Sequence, residues 1–446
     1  MINRRTWCVL AIGLCLVSRN VAADDTPGPA VSDHPSIHET VEKNRGRMVY
    51  VPAGDYTISA KIAIHGNGSG LFGPGRIIQT NAEQPIVQIE DAADVELRDL
   101  TLTRPGGSQE TRCEGVVALR CRNLAIENLK VIDNRSNSAA IALRESSGCR
   151  IRSCRVLNYA RIAVDDRTAS DNYGYAFRCI DGSGIVVTYS TDTLIEGNQV
   201  VEQNLLPTRE VQQRYELGKF VKKNATKGTL MQQTVWDAER VNNWHQGSAI
   251  VVTGPEMSDR TQILGNRIEN AAQGIDLHAD RVIVANNTVH NAFIGMKAMH
   301  GSRNVLIIGN QFSKNDLWAI GLMPGAASHP AIPPSGDAPA REANDDGGSI
   351  IANNIISDFG YGNARWIWAD ANCCPIRFDT GQEPDDPPLR NVIVQGNVID
   401  DRGADGPRYN YAVFIPQGDR APQGLRFANN LFPAGTRGVS NIPLEP

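Results

Sequence analysis

The chain has 446 residues, enough for one large core or two domains, and a formal net charge of −5 at pH 7. Acidic and basic residues are interspersed, which argues against a dedicated nucleic-acid face or a polybasic membrane surface. Aromatics make up only 6% of the chain against 41 glycines, a composition that suits many short strands and tight turns.

The first residues read as a targeting segment. Arg4 and Arg5 precede the apolar run Trp7–Val17, which is too short to span a bilayer, and Val21-Ala22-Ala23 offers small residues for cleavage. A signal peptide over 1–23 predicts a secreted or periplasmic protein, with a mature chain over 24–446 and no membrane span. Cleavage removes Cys8 and Cys15 and leaves seven cysteines, an odd number whose pairing does not follow from sequence. The vicinal Cys373-Cys374 pair has neither a second CxxC nor a histidine pair nearby, so structural cysteines are expected rather than a zinc site.

Ser36-Ile37-His38-Glu39 has capping-box spacing and predicts a short helix to about Lys43. A strand, a Pro/Gly turn and a second strand follow over Val49–Ile58. Gly66–Gly75 is glycine-rich but lacks the Gly-Lys-Ser/Thr of a phosphate loop.

Beyond about Val87 one phrase recurs. It reads Ile263-Leu264-Gly265-Asn266, Ile283-Val284-Ala285-Asn286-Asn287, Ile307-Ile308-Gly309-Asn310 and Ile393-Val394-Gln395-Gly396-Asn397, with looser copies at Asn128 and Asn198. Asn266 and Asn287 are 21 residues apart, and Asn287 and Asn310 are 23 apart. That period suits one turn of a coil of short strands, which buries its apolar face only by stacking on its neighbours. The phrase's Asn is expected to form an internal hydrogen-bonded ladder and to have no catalytic role. About ten residues after the phrase come alternating quartets, among them Ile141–Arg144, Ile162–Asp165, Ile185–Thr188, Ile250–Thr253, Ile275–His278 and Met296–Met299. Their first and third residues should point inward and the others outward, in columns up the wall. Insertions near 205–243, 324–348 and 359–390 break the period; Glu210–Lys223 in the first has helical composition.

The segment Val49-Tyr50-Val51-Pro52-Ala53-Gly54-Asp55-Tyr56, with a helix before it and Gly-rich turns after, resembles the opening of secreted pectate-lyase-like proteins, and the Asn phrase resembles their coils. The resemblance implies an all-β fold, a single right-handed parallel β-helix (solenoid) with an N-terminal helical cap. Lyases, glycoside hydrolases, uronate epimerases, tailspikes and adhesins share it, so it names no activity. The polygalacturonase pattern and the Arg-x-Pro-x-x-Arg element of one pectate lyase group are both missing from the sequence.

The outward columns suggest where chemistry would sit. Asp276 falls directly below Lys297, His278 lies two residues along from Asp276, and His300 follows Lys297. Trp244 and His245 lead into the strand one turn below. Arg144, Asp165 and Tyr189 are expected further down the same wall. Cleavage of a uronate by β-elimination needs a base at the proton beside the carboxylate and a cation that neutralises that carboxylate. Lys297 and His278 fit base or acid roles, and His245 or Tyr189 the proton donor. Arg144, Asp165, Asp276 and His300 fit sugar contacts, and Trp244 a stacking platform. An Asp276–Lys297 ion pair argues against Lys297 as the base. The plain alternative is an ordinary charged wall, where cross-strand Asp/Lys pairs stabilise a sheet modestly. Asp345-Asp346 and Asp385-Asp386 supply oxygen ligands of the kind calcium takes, or simply solvated loop charge. The expected protein is a monomeric lyase on an acidic polysaccharide. The rivals are a glycoside hydrolase using Asp165 and Asp276, and a non-catalytic glycan-binding protein.

Overall fold

The computed structural model describes residues 28–106, 111–166, 169–325, 327–336, 338–364, 373–381, 385–401 and 405–446. The expected signal peptide and the second half of the aromatic stretch Tyr361–Trp368 lie outside them. Among the described residues three long sheets of 12, 11 and 12 strands run side by side, and nearly every third strand in sequence joins the same sheet in parallel. This is a right-handed parallel β-helix. The N-terminal end carries the expected helix, Ile37–Lys43, whose Ser36 side chain accepts from Glu39 N at 3.2 Å. None of the described helices is long and apolar enough to cross a membrane.

The period-2 reading gives the register of the third sheet. Ile250, Ile275, Met296, Ile320 and Ile376 align from rung to rung and are fully buried. Between them Val251, Asp276, Lys297, Gly321 and Arg377 form one column on the outer face. Each buried aliphatic side chain contributes about 1.5–3 kcal/mol, so a one-residue slip would be prohibitive.

The Asn phrase has two working positions. The residue before the ladder Asn is left-handed in every coil: Gly197, Gly265, Asn286, Gly309, Asn353, Gly396 and Asn429 all have φ between 53° and 67°. Glycine adopts that region without strain and asparagine at small cost, which explains the Gly-Asn and Asn-Asn pairs. The Asn that follows is buried in every coil but the last, where Asn430 is half-buried, and its Oδ1 accepts from the coil below. Asn198 N donates to Asn266, Asn266 N to Asn287 and Asn287 N to Asn310, at 2.8–2.9 Å. The ladder continues through Asn354 and Asn397 to Asn430, and starts at the backbone N–H of Cys154. Asn128 is not part of it. It aligns with the left-handed position (φ 52°), and its side chain bonds Asp99 at the surface.

Two expectations are corrected. Ile162–Asp165 is not a coil quartet: strand Arg161–Asp165 pairs antiparallel with Tyr175–Asp181, which pairs antiparallel with Phe220–Lys223. These make a separate three-stranded side sheet. Alternation marks a half-buried strand without specifying its partner, and Val164, expected inside, is 44% exposed. Within Glu210–Lys223 the helix extends only to Tyr215, as Arg209–Tyr215, and Phe220–Lys223 is a strand of the side sheet; a second helix of the insertion covers Gln233–Ala238. The seven cysteines all carry free thiols, and six of them are buried.

Candidate active site

The third sheet's outer face carries four rungs that matter, Ser248–Thr253, Gln273–His278, Ile294–Met299 and Trp318–Met323. Register places Asp276 directly below Lys297, as expected. The outward position does not leave Asp276 open, because it is only 8% exposed. Its carboxylate lies 3.4 Å from Lys297 Nζ. His278 Nε2 is 3.1 Å from Asp276 Oδ1, out of line for a hydrogen bond, so the contact is electrostatic. Thr253 Oγ1, one rung below, lies 3.0 Å from His278 Nδ1 and sets the ring's orientation. Burial pushes the Asp276 carboxyl up, but the Lys297 ammonium and His278 overcome this and hold it well below the usual carboxylate range.

His300 joins this group. Its ring meets that of His278 edge-on at 5.0 Å, and burial, with His278 and Lys297 nearby, lowers its pKa to about 4. The backbone at His300 is left-handed (φ 55°) and is held by the second insertion. Asp346 accepts from Gly301 N at 2.7 Å and Ser302 N at 2.8 Å, and Ser328 bonds the other carboxylate oxygen. Gly325 lies so close to the His300 ring that a Cβ there would overlap Nδ1.

The other expected residues are elsewhere. His245 is buried, its pKa lowered by burial to about 3, and its Nδ1 has no hydrogen-bond partner among the described residues. Enclosed in this way, it presents no face to a substrate. Trp244 is fully buried beneath the first insertion, where Gly218 packs on its ring, so it has no face for a sugar. Tyr189 is 48% exposed and lies across Gly254, but its coil is two rungs below His278. Arg144 is three rungs below His278 and bonds Glu114 and Ser138. Asp165 is on the side sheet, away from the column. Asp346 is a backbone clamp, and the described residues contain no group of three or more His, Cys, Asp or Glu placed to hold a metal ion.

Sequence reasoning missed Arg377, Trp318 and Gln273. Arg377 stands in the Asp276–Lys297 column, two rungs above Lys297. Asp379 fixes its guanidinium by bonds of 3.1 and 3.0 Å, and the centroid of the Phe414 ring, one rung above, lies 4.4 Å from it. The signal was the alternation Ile376-Arg377-Phe378, but it lies inside 359–390, expected to be an insertion, whereas Cys374–Phe378 is a rung of the third sheet.

Residues 114–332 match the family model described as a right handed beta helix region. The chain folds as a right-handed parallel β-helix. Solved structures of the same fold include the Dettilon tailspike protein, with a TM-score of 0.59, 14% identity and coverage of 91% of this chain. This β-helix protein spans 64% of that tailspike chain. The catalytic domain of a GH87 alpha-1,3-glucanase has a TM-score of 0.56 and 13% identity over 94% of this chain and 70% of its own. The A-module of the Azotobacter vinelandii mannuronan C-5 epimerase AlgE6 has a TM-score of 0.51 and 13% identity over 91% of this chain and 100% of its own. At these identities the likeness is one of fold. No curated protein sequence matches the β-helix protein.

Proposed function

We propose that this protein is a secreted enzyme acting on an acidic, uronate-containing polysaccharide, and that it is a lyase cleaving by β-elimination. One observation carries the reading: a buried, ionised Asp276 held between Lys297 and His278 on the outer wall, beside a neutral His300. Such a group suits proton transfer near a carboxylate. His278 takes the proton beside the uronate carboxylate at Nδ1, where the Thr253 hydroxyl gives way, and Asp276 beside the buried Nε2 stabilises the imidazolium that forms. Lys297 neutralises the carboxylate as negative charge spreads onto it. The C–H electrons form the new C=C bond, the glycosidic C–O bond breaks, and the imidazolium returns the proton to the leaving oxygen. The shared fold with a mannuronan epimerase and a glucanase supports a polysaccharide as substrate, and Arg4, Arg5 and the apolar run after them support export.

A hydrolase needs a second carboxylate within about 6.5–9.5 Å of the first. Asp379, in the same sheet, is three rungs above His278's position and paired to Arg377, which at strand spacing is about 14 Å away. The test is a panel of polyuronates, read for unsaturated uronate by ultraviolet absorbance and for new reducing ends. Both signals are expected, with turnover reduced about a hundredfold in His278→Ala. Reducing ends alone would make it a hydrolase, and no product from any acidic polymer would end the reading.

A further inference from the structure

The first of the 12-stranded sheets lies on a different wall from Asp276 and Lys297, and its outer face changes character along the coil. In the lower rungs Glu127, Arg150, Arg152 and Glu196 face outward and pair off, at 2.8 Å for both Arg150–Glu127 and Arg152–Glu196. Higher up the charges stop. Ile283, Leu306, Ile350 and Ile393 align in one outward column over four consecutive rungs. A second column beside it runs from Leu264 through Ile308 to Ala352. Between the two columns the buried Ile263, Val284, Ile307 and Ile351 point into the core, so period-2 alternation puts the aliphatic columns outside. Neither column carries a charged side chain from the Gln262 rung to the Gln395 rung, and Ile393 is 41% exposed. A contiguous apolar face bounded by polar residues marks a surface for a partner.

We propose that this face pairs with the same face of a second copy of the chain, about a two-fold axis along Leu306–Ile308, with the two coils antiparallel. The face is symmetric in chemistry about that rung. One rung away stand Ile283 with Ala285 below and Ile350 with Ala352 above. Two rungs away are the amides Gln262 below and Gln395 above. Three rungs away are opposite charges, Glu196 below and Arg426 above. The two-fold lays each lower rung on the matching upper rung of the partner. It stacks aliphatic on aliphatic in the middle and sets Gln262 diagonally across from Gln395. It sets Glu196 diagonally across from Arg426, twice over. Both copies share a rung spacing of about 4.8 Å, so the side-chain ridges of one fit between those of the other at the roughly 10 Å separation of packed sheets. Within one chain Glu196 and Arg426 make only surface pairs, with Arg152 and Glu445, which hold them weakly. The face spans six strand spacings, about 29 Å, by about 10 Å across. That is small for a specific interface, so a weak dimer with a Kd of about 10–100 µM is expected. The inference is independent of the lyase reading.

Sedimentation of the purified chain from about 1 to about 500 µM tests this, with a monomer–dimer equilibrium expected in that range. Ile308 meets its own copy at the axis, so Ile308→Lys sets two ammonium groups against each other and should weaken the dimer at least about a hundredfold. Glu196→Arg and Arg426→Glu should each weaken it at least about tenfold, and the two combined should restore the wild-type constant, because the pair is only reversed. A chain that stays monomeric to about 500 µM overturns the proposal, and so does a dimer indifferent to Ile308→Lys. If Ile308→Lys does not fold, the charge variants decide alone. Association that each single charge variant loses and the combined variant does not regain overturns the antiparallel pairing, as does a trimer.

Discussion

At Asp276 burial and charge pull in opposite directions, and the balance rests on two neighbours, Lys297 before His278. Desolvation disfavours the carboxylate, and the Lys297 ammonium 3.4 Å away restores it. Removing Lys297 would therefore take away the main compensation of a buried charge and leave only His278 beside it. Lys297→Ala is expected to lose about 3–5 kcal/mol of stability as well as turnover, because breaking one side of a buried pair costs that much. The double variant Asp276→Asn/Lys297→Met should recover most of the stability while remaining inactive. Urea unfolding of the three proteins decides it; a Lys297→Ala protein as stable as wild type would show that the pair is effectively solvated. The residue types were legible in the sequence, as was their register. Their burial was not, because alternation tells which face a residue takes and not what later covers that face.

Among the elements, the Asn ladder ties coil to coil at the same corner. Each rung gives one side-chain oxygen to a backbone N–H that the coil geometry leaves without a strand partner. Asn287→Ala is expected to strand Asn266 N–H and to cost about 1–3 kcal/mol, the penalty for an unsatisfied buried donor. Hydrogen exchange should show faster opening at Asn266, and a midpoint unchanged from wild type would deny the ladder a structural role. This element was readable because its chemistry is local: a left-handed position followed by a buried amide recurs at a fixed period. The side sheet was not. Arg161–Asp165 and Phe220–Lys223 are far apart in sequence and meet only through Tyr175–Asp181. The second insertion likewise reads as an unstructured run rich in Pro and Ala, yet its Asp346 and Gly325 converge on the turn that holds His300.

For the whole molecule, three buried groups shape the response to acid. His245 and His300 have folded pKa values of about 3 and about 4, against about 6.5 when unfolded. Between those limits unfolding takes up protons at both, so their contribution to stability is present above about pH 6.5 and is lost as pH falls. Asp346 acts in the opposite sense. Burial raises it to about 7, so the folded protein keeps a proton that the unfolded chain releases above about 3.9, and its contribution grows as pH falls. Two uptakes against one release leave stability falling from about pH 6.5 to about pH 4, by roughly 1.4 kcal/mol per unit. His300→Asn, which tolerates the left-handed backbone, should nearly flatten that slope. Denaturant midpoints across this range test the expectation, and a midpoint that rises toward pH 4 in the wild type would contradict it. The sequence by itself determined the coil, its period, its inner and outer faces and the placing of Asp276 under Lys297, because each follows from short-range alternation repeated at a constant interval. Tertiary structure alone decided that Trp244 and His245 are enclosed, that Asp165 leaves the wall, and that Arg377 joins the column. Those outcomes depend on how insertions of irregular length fold back on the coil, and no period in the chain encodes that.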